Sequence, residues 1–202
     1  MNTKYLLLAT CLILSFLVHP VHAGEPTERV RALLNEVISV QSDPRLQGDE
    51  FKEKRRAAVK NIIGRNFDFD RMAERSLGEH WKTLSNEERS EFKGIFRDLF
   101  QDSYSFMVLE NLGKEKILYK DEEVKEGVAT VETTMLRRNA TLSVDYELAN
   151  LKESWLIQDV TIDGVSILKN YQESFASVIR RDSYAKLIEK MRAKKREVEK
   201  AP

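Results

Sequence analysis

The apolar pattern of this chain changes period at Gly113, and that change dictates its fold class. Before Gly113, apolar side chains recur every three or four residues, the spacing of a helix face; after it they alternate, as on strands with one buried face. Val30, Leu33, Leu34, Val37 and Ile38 predict an amphipathic helix over Pro26 to Val40, ended by Asp43-Pro44. Phe51, Val59, Ile62 and Ile63 predict a second, running to Gly64, and Phe69, Met72, Ala73 and Leu77 a short third ahead of Gly78. Ser85 and Glu88 spell a capping box, and Phe92, Ile95, Phe96, Leu99, Phe100, Tyr104 and Met107 continue from it as one stripe. That longest helix should organise the core.

Beyond Gly113 the alternation predicts four strands, at Lys116 to Lys120, Val128 to Arg137, Ala140 to Leu148 and Trp155 to Asp163. In the third, Leu142, Val144, Tyr146 and Leu148 share one face, while Thr141, Ser143, Asp145 and Glu147 share the other. Short polar connections, Arg138-Asn139 and Asn150 to Ser154, suit an antiparallel meander, because a parallel crossover takes a dozen residues or more. From Ser166 the helical period returns through Leu168, Tyr171, Phe175, Val178 and Ile179, and a more charged segment follows Ser183. Helices, four antiparallel strands and a closing helix make an α+β fold.

The first 23 residues read as a secretory signal. They carry one positive charge at Lys4, an apolar stretch from Tyr5 to Val18, and Val21-His22-Ala23 at a cleavage site. The stretch is short for a permanent span of about 30 Å of hydrocarbon. Removing residues 1–23 from the 202 leaves one domain's worth of chain, taken as 24–182, with a charged C-terminal helix or tail over 183–202. The one cysteine, Cys11, falls inside the signal, so the exported chain has no disulfide and no thiolate ligand. Thr10 stands before Cys11 where lipid attachment calls for a smaller residue.

Composition narrows the function. Thirty-three Lys and Arg balance thirty-three Asp and Glu, which removes the electrostatic drive for general nucleic-acid binding. The eight glycines are scattered and form no phosphate loop, so no nucleotide cofactor is expected. His80 is the one histidine beyond the signal, with neither a nucleophile elbow nor a cysteine to serve, and reads as structural. Asp159 and Asp163 share a strand face but stand roughly 13 Å apart, too far for one cation, and Asp163-Gly164 reads as a turn. Asn139-Ala140-Thr141 spells a glycosylation sequon to which no function attaches. In the C-terminal run Lys186, Lys190, Arg192, Lys194, Lys195, Arg196 and Lys200 alternate with Glu189, Glu197 and Glu199. They suit a solvated helix, or a surface that meets anionic lipid or an acidic partner. No catalytic residue, metal site or cofactor is expected.

The string from Trp155 to Tyr171, with Asp159, Val160, Gly164, Val165 and Ser166 at fixed spacing and Phe175 following, resembles the W-x-x-x-D-V-x-x-x-G-V-S signature of the MlaC, or toluene-tolerance, family. Upstream, Phe67-Asp68-Phe69-Asp70-Arg71-Met72, Leu77-Gly78, His80-Trp81, Ser85 to Arg89, Phe92 and Phe96 to Tyr104 are similar to that family's helical half, in the same order. Gln172 departs from the Arg that members often carry after the Tyr. The resemblance implies a cystatin- or NTF2-like arrangement enclosing an apolar cavity. It also implies a periplasmic phospholipid carrier working between an outer-membrane lipoprotein/porin complex and an inner-membrane MCE-ABC transporter complex.

A carrier hides acyl chains, since each methylene exposed to water costs about 0.8 kcal/mol. The expected lining is Val131, Leu142, Val144, Tyr146, Val160 and Ile162 from the strands, with Tyr104, Val108, Val165, Leu168 and Tyr171 from the flanking segments. The head group would meet Lys169 or Arg137 at the mouth. Periodicity leaves two further readings open: an exported protein-binding adaptor with a solid core, and a small hydrolase or isomerase with acid and base groups inside a pocket.

Overall fold

The computed structural model describes residues 24–113, 115–137, 140–151 and 154–200, so the expected export signal and Asn139 of the sequon lie outside the described residues. Four helices come first: α1 (Glu25–Ser42), α2 (Lys52–Asn66), α3 (Phe69–Leu77) and α4 (Asn86–Asn111). Each begins or ends where local chemistry directs. Asp68 caps α3 by accepting from the Arg71 N–H, and both halves of the Ser85–Glu88 capping box form at the start of α4.

The sheet then runs β1 (Lys116–Lys125), β2 (Val128–Leu136), β3 (Thr141–Leu151), β4 (Ser154–Ile162) and β5 (Val165–Ser166), antiparallel and in that spatial order. It thus has five strands where alternation predicted four. Asp163 and Gly164, at φ 46° and 80°, fold the chain back so that two residues of β5 pair with the end of β4. Two residues are too few to show a period. β1 also runs five residues past its expected end at Lys120, because Asp121, Glu122, Glu123 and Lys125 belong to an edge strand. Charges on an edge deter pairing with other chains, and they conceal the strand from a hydrophobic reading. A register shift between Tyr119 and Asp121 interrupts the alternation further.

The closing segment forms α5 (Ile167–Arg181) and α6 (Tyr184–Lys200). The charged tail is more than a solvated helix: Leu187, Ile188 and Met191 recur at helical spacing and are buried where α6 lies along α4.

The first half of α4 carries a solid aromatic core. Phe92, Phe96 and Phe100 are fully buried, with successive ring centroids 6.0 Å apart. Phe175 of α5 meets Phe92 edge-on at 5.9 Å, and Tyr171 meets Phe96 at 5.5 Å. Each such pair adds about 0.5–1.5 kcal/mol beyond area burial.

Asp159 ties β4 to α5. Buried, it accepts from the N–H groups of Val160 and Leu168 and from the Ser166 hydroxyl, while Ser166 itself caps α5 through the Lys169 N–H. Removing the carboxylate strands three donors. Asp159→Ala is therefore expected to cost about 3 kcal/mol in urea unfolding, against about 1 kcal/mol for Ser85→Ala, where water replaces the exposed cap. Equal losses for the two variants would refute this ranking.

Candidate functional site

The inner face of the sheet is longer than the aromatic core that covers it. Past Phe100, the second half of α4 and the strands β2, β3 and β4 line an apolar cavity of about 290 Å³. Leu33, Leu34 and Val37 of α1 close one side, and Phe100, Tyr104, Met107, Val108 and Leu112 another. Met135, Leu142, Val144, Tyr146, Val160 and Ile162 form the sheet wall, with Ile63, Phe67, Ile167 and Arg137 completing it. Among these side chains only Tyr104, Tyr146 and Arg137 carry nitrogen or oxygen. None is an acid, histidine, serine, threonine or cysteine, so the cavity is built to hold hydrocarbon.

Backbone hydrogen bonds set the walls. Between α2 and α3 the chain is extended, Phe67 bridges to Ile157, and the Asp68 N–H donates to the Ile157 carbonyl at 2.9 Å. That turns the Phe67 ring inward, where it lies 5.6 Å from Phe100. Gln41 at the end of α1 donates from Nε2 to the Val108 carbonyl at 3.2 Å and to that of Leu112, fastening α1 to the last turns of α4. The deep residues Val144, Tyr146 and Val160 are buried, whereas Met107, Val108, Leu142 and Ile162 are half-buried and Arg137 is exposed. The open end therefore lies between the end of α4, the β2–β3 connection and the end of β4.

Seven of the eleven expected lining residues meet at this cavity: Tyr104, Val108, Leu142, Val144, Tyr146, Val160 and Ile162. The other four stand elsewhere. Val131 shares the sheet's inner face but lies toward the β1–β2 hairpin, where α1 packs on β2 and fills the space. Tyr171 is held in the aromatic core against Phe96 and Phe100. Leu168 is buried one residue past Ile167, on the side of a polar groove that also holds Asp159 and Lys169. Val165, in the β4–β5 turn region, is 61% exposed. Of the two cations expected near a head group, Arg137 lines the cavity and Lys169 faces the polar groove with Glu173 in reach.

The residues missing from the expected lining are spread over several elements, with Leu33, Leu34 and Val37 from α1 and Phe100, Met107 and Leu112 from α4 and its cap. Leu33, Leu34 and Val37 were visible as a helix stripe, but periodicity does not say which helix lies across the sheet. Met135 shares the face of Val131 by alternation, whereas Phe67 gave no such signal, because its direction depends on a bridge to Ile157.

The phenols stay neutral. Burial pushes the Tyr146 hydroxyl well above its ordinary pKa of 10.0. Burial does the same for Tyr104, reinforced by Tyr171, and it pushes Tyr171, which shares a hydrogen bond with Tyr104, up to about 12.

A family model described as MlaC protein matches residues 31–193. The chain belongs to the MlaC family. The match includes the Trp155–Tyr171 string and the helical half that resembled that family. A phospholipid-binding protein from Ralstonia solanacearum, solved in complex with a phospholipid, shares the MlaC fold of this chain with a TM-score of 0.75. It is 20% identical, and the match covers 88% of this chain and 100% of that one. Among curated proteins none matches significantly.

The phenols set a measurable alkaline limit on this MlaC-family domain. In the unfolded chain they ionise near pH 10, whereas in the fold they keep their protons. The unfolded state then binds fewer protons, so stability is intact below pH 10 and falls as pH rises towards 12 and beyond. Urea midpoints at stepped pH are expected to hold level from neutrality to pH 9 and then drop, and Tyr146→Phe to drop less. A midpoint insensitive to pH above 10 would contradict buried, protonated phenols.

Proposed function

We propose that this chain is a soluble periplasmic carrier that holds phospholipid by its acyl chains in the cavity. It moves that lipid between an outer-membrane lipoprotein/porin complex and an inner-membrane MCE-ABC transporter complex. The observation that carries the reading is the cavity itself: an apolar space roofed by α4 and α1 over the sheet, with one cation at its open end. Membership of the MlaC family supports it, as does the fold shared with a protein solved with a phospholipid bound. Among the described residues no helix is long and apolar enough to cross a membrane.

The chemistry fits the task. Burying an acyl chain returns about 0.8 kcal/mol per methylene, so a long tail contributes on the order of 10 kcal/mol without any specific polar contact. Tails thereby supply the affinity. The head group stays at the mouth beside Arg137, whose planar fork suits a phosphate oxygen pair, and a single contact of that kind leaves head-group selectivity loose. The adaptor reading required a solid interior, which this one is not.

Native mass spectrometry of protein purified gently from an exporting host is expected to find phospholipid bound. Val144→Trp, which places an indole inside the cavity, is expected to lower the lipid content severalfold. Because it fills vacant space, it should not incur the 1–3 kcal/mol, roughly, that overpacking a full core costs. No lipid on the native protein and no uptake from vesicles would overturn the carrier reading. Val144→Trp that unfolds the domain would overturn the vacancy of the cavity.

A further inference from the structure

The carrier has a second, smaller recess beside the open end of its cavity. The last turns of α4 face two ways: Met107 and Val108 line the apolar cavity, while Phe106, Leu109 and Glu110 line a notch of about 80 Å³ shared with Gln41 of α1 and with Lys52, Arg55 and Arg56 of α2. Phe106 and Leu109 are its apolar members, and Phe106 is one of the few large apolar residues left exposed, at 37%. Its rim is cationic, with three basic side chains against the single carboxylate of Glu110.

These cations differ from the rest of the basic surface. On α6, Lys186, Lys190, Arg192, Lys194 and Lys195 each hold a carboxylate, so the C-terminal run is largely neutralised. Among the described residues no carboxylate pairs with Lys52, Arg55 or Arg56. Arg55 instead donates to the carbonyls of Leu46 and Gly48, and Arg56 to that of Val198, so both heads are held in place by neutral acceptors. They also sit in the first two turns of α2, where the helix dipole disfavours positive charge. Local stability alone does not explain that placement.

We propose that this notch docks an acidic segment of a partner protein, with one aliphatic side chain seated on Phe106 and Leu109 and carboxylates meeting Lys52, Arg55 and Arg56. A protein fits better than a bilayer. The recess is about half the roughly 150 Å³ that admits a benzene ring, so it takes one small side chain and neither an acyl chain nor a head group. A segment held there lies one helix face away from the cavity's open end, where an incoming or outgoing lipid passes. That use rests on the carrier reading; the docking itself does not.

The test is a titration of the isotope-labelled mature chain, with its native lipid load, with the peptide acetyl-Glu-Asp-Leu-Glu-Asp-amide followed by NMR. Shifts are expected to concentrate at residues 52–56 and 106–110 and to weaken about tenfold between low and physiological salt. In Lys52→Glu the affinity should fall about tenfold while thermal unfolding and lipid content stay as in the parent, since a carboxylate suits that helix position. Several results would overturn the proposal: no shifts at millimolar peptide, shifts elsewhere, equal binding of acetyl-Gln-Asn-Leu-Gln-Asn-amide, or unchanged affinity in Lys52→Glu. Co-sedimentation with phosphatidylcholine/phosphatidylglycerol vesicles that Lys52→Glu abolishes would overturn it in favour of a bilayer. Peptide binding by a chain that carries no lipid would support the docking site while sinking the carrier reading.

Discussion

The aromatic packing of one long helix governs this structure. α4 is 26 residues long, and its first half is held to α5 by edge-on rings, Phe92 against Phe175 and Phe96 against Tyr171 and Phe175. Its second half has no such partner across the sheet. The strands continue past the aromatic block with Leu142, Val144, Tyr146, Val160 and Ile162 still pointing inward, and these side chains wall the cavity. Protein interiors are normally packed to crystal density, and lining atoms without neighbours forfeit their dispersion contacts. The cavity persists because the aromatic block on one side and the α1 contacts on the other hold the walls apart.

Polar contacts maintain that separation from outside. Lys60 of α2 meets Asp102 of α4 at 2.7 Å, and Lys93 and Arg97 of α4 both reach Asp70 of α3 at 2.8 and 3.0 Å. Lys93 holds the Asp70 carboxyl below its ordinary pKa. The exposed Asp70 pairs contribute little to stability individually, at most about 1 kcal/mol, whereas Asp102 is buried beneath Lys60. Their value here is directional: they fix the α2–α3–α4 layer as a unit, while Asp159 fixes α5 to the sheet. The end of α4 is fastened mainly by Gln41 to two carbonyls.

The fold was legible wherever one face of an element was buried. Leu142, Val144, Tyr146 and Leu148 marked β3, and the Ser85 box with its aromatic stripe marked α4, because burial imposes a period that survives in a single sequence. What escaped notice was set by other forces. The second half of β1 is charged because it is an edge, and β5 exists because Asp163-Gly164 reverses the chain. Within the site, the sheet wall was readable by alternation, since i, i+2 and i+4 must share a face. Tyr171 and Leu168 stand off the cavity lining because the start of α5, held by Asp159 through the Leu168 N–H, turns Ile167 toward the cavity. Filled and vacant interiors have the same period, so only three-dimensional closure separates Val131, in packed core, from Val144, on a cavity wall.

That last distinction has an energetic consequence. If acyl chains complete the interior, cargo and core are one hydrophobic term, and a loaded chain is more stable than an empty one by the free energy of loading. With on the order of 10 kcal/mol per long tail at stake, spontaneous loss into water is negligible on that account. Release then requires an apolar acceptor that receives the methylenes as they leave, so that little surface is wetted at any moment. The geometry provides for this: the half-buried members of the lining, Met107, Val108, Leu142 and Ile162, lie together at the open end, while the aromatic block stays shut behind them. A carrier built in this way needs no chemistry of its own to let go. It needs only to be held, mouth to mouth, against another surface as dry as its own.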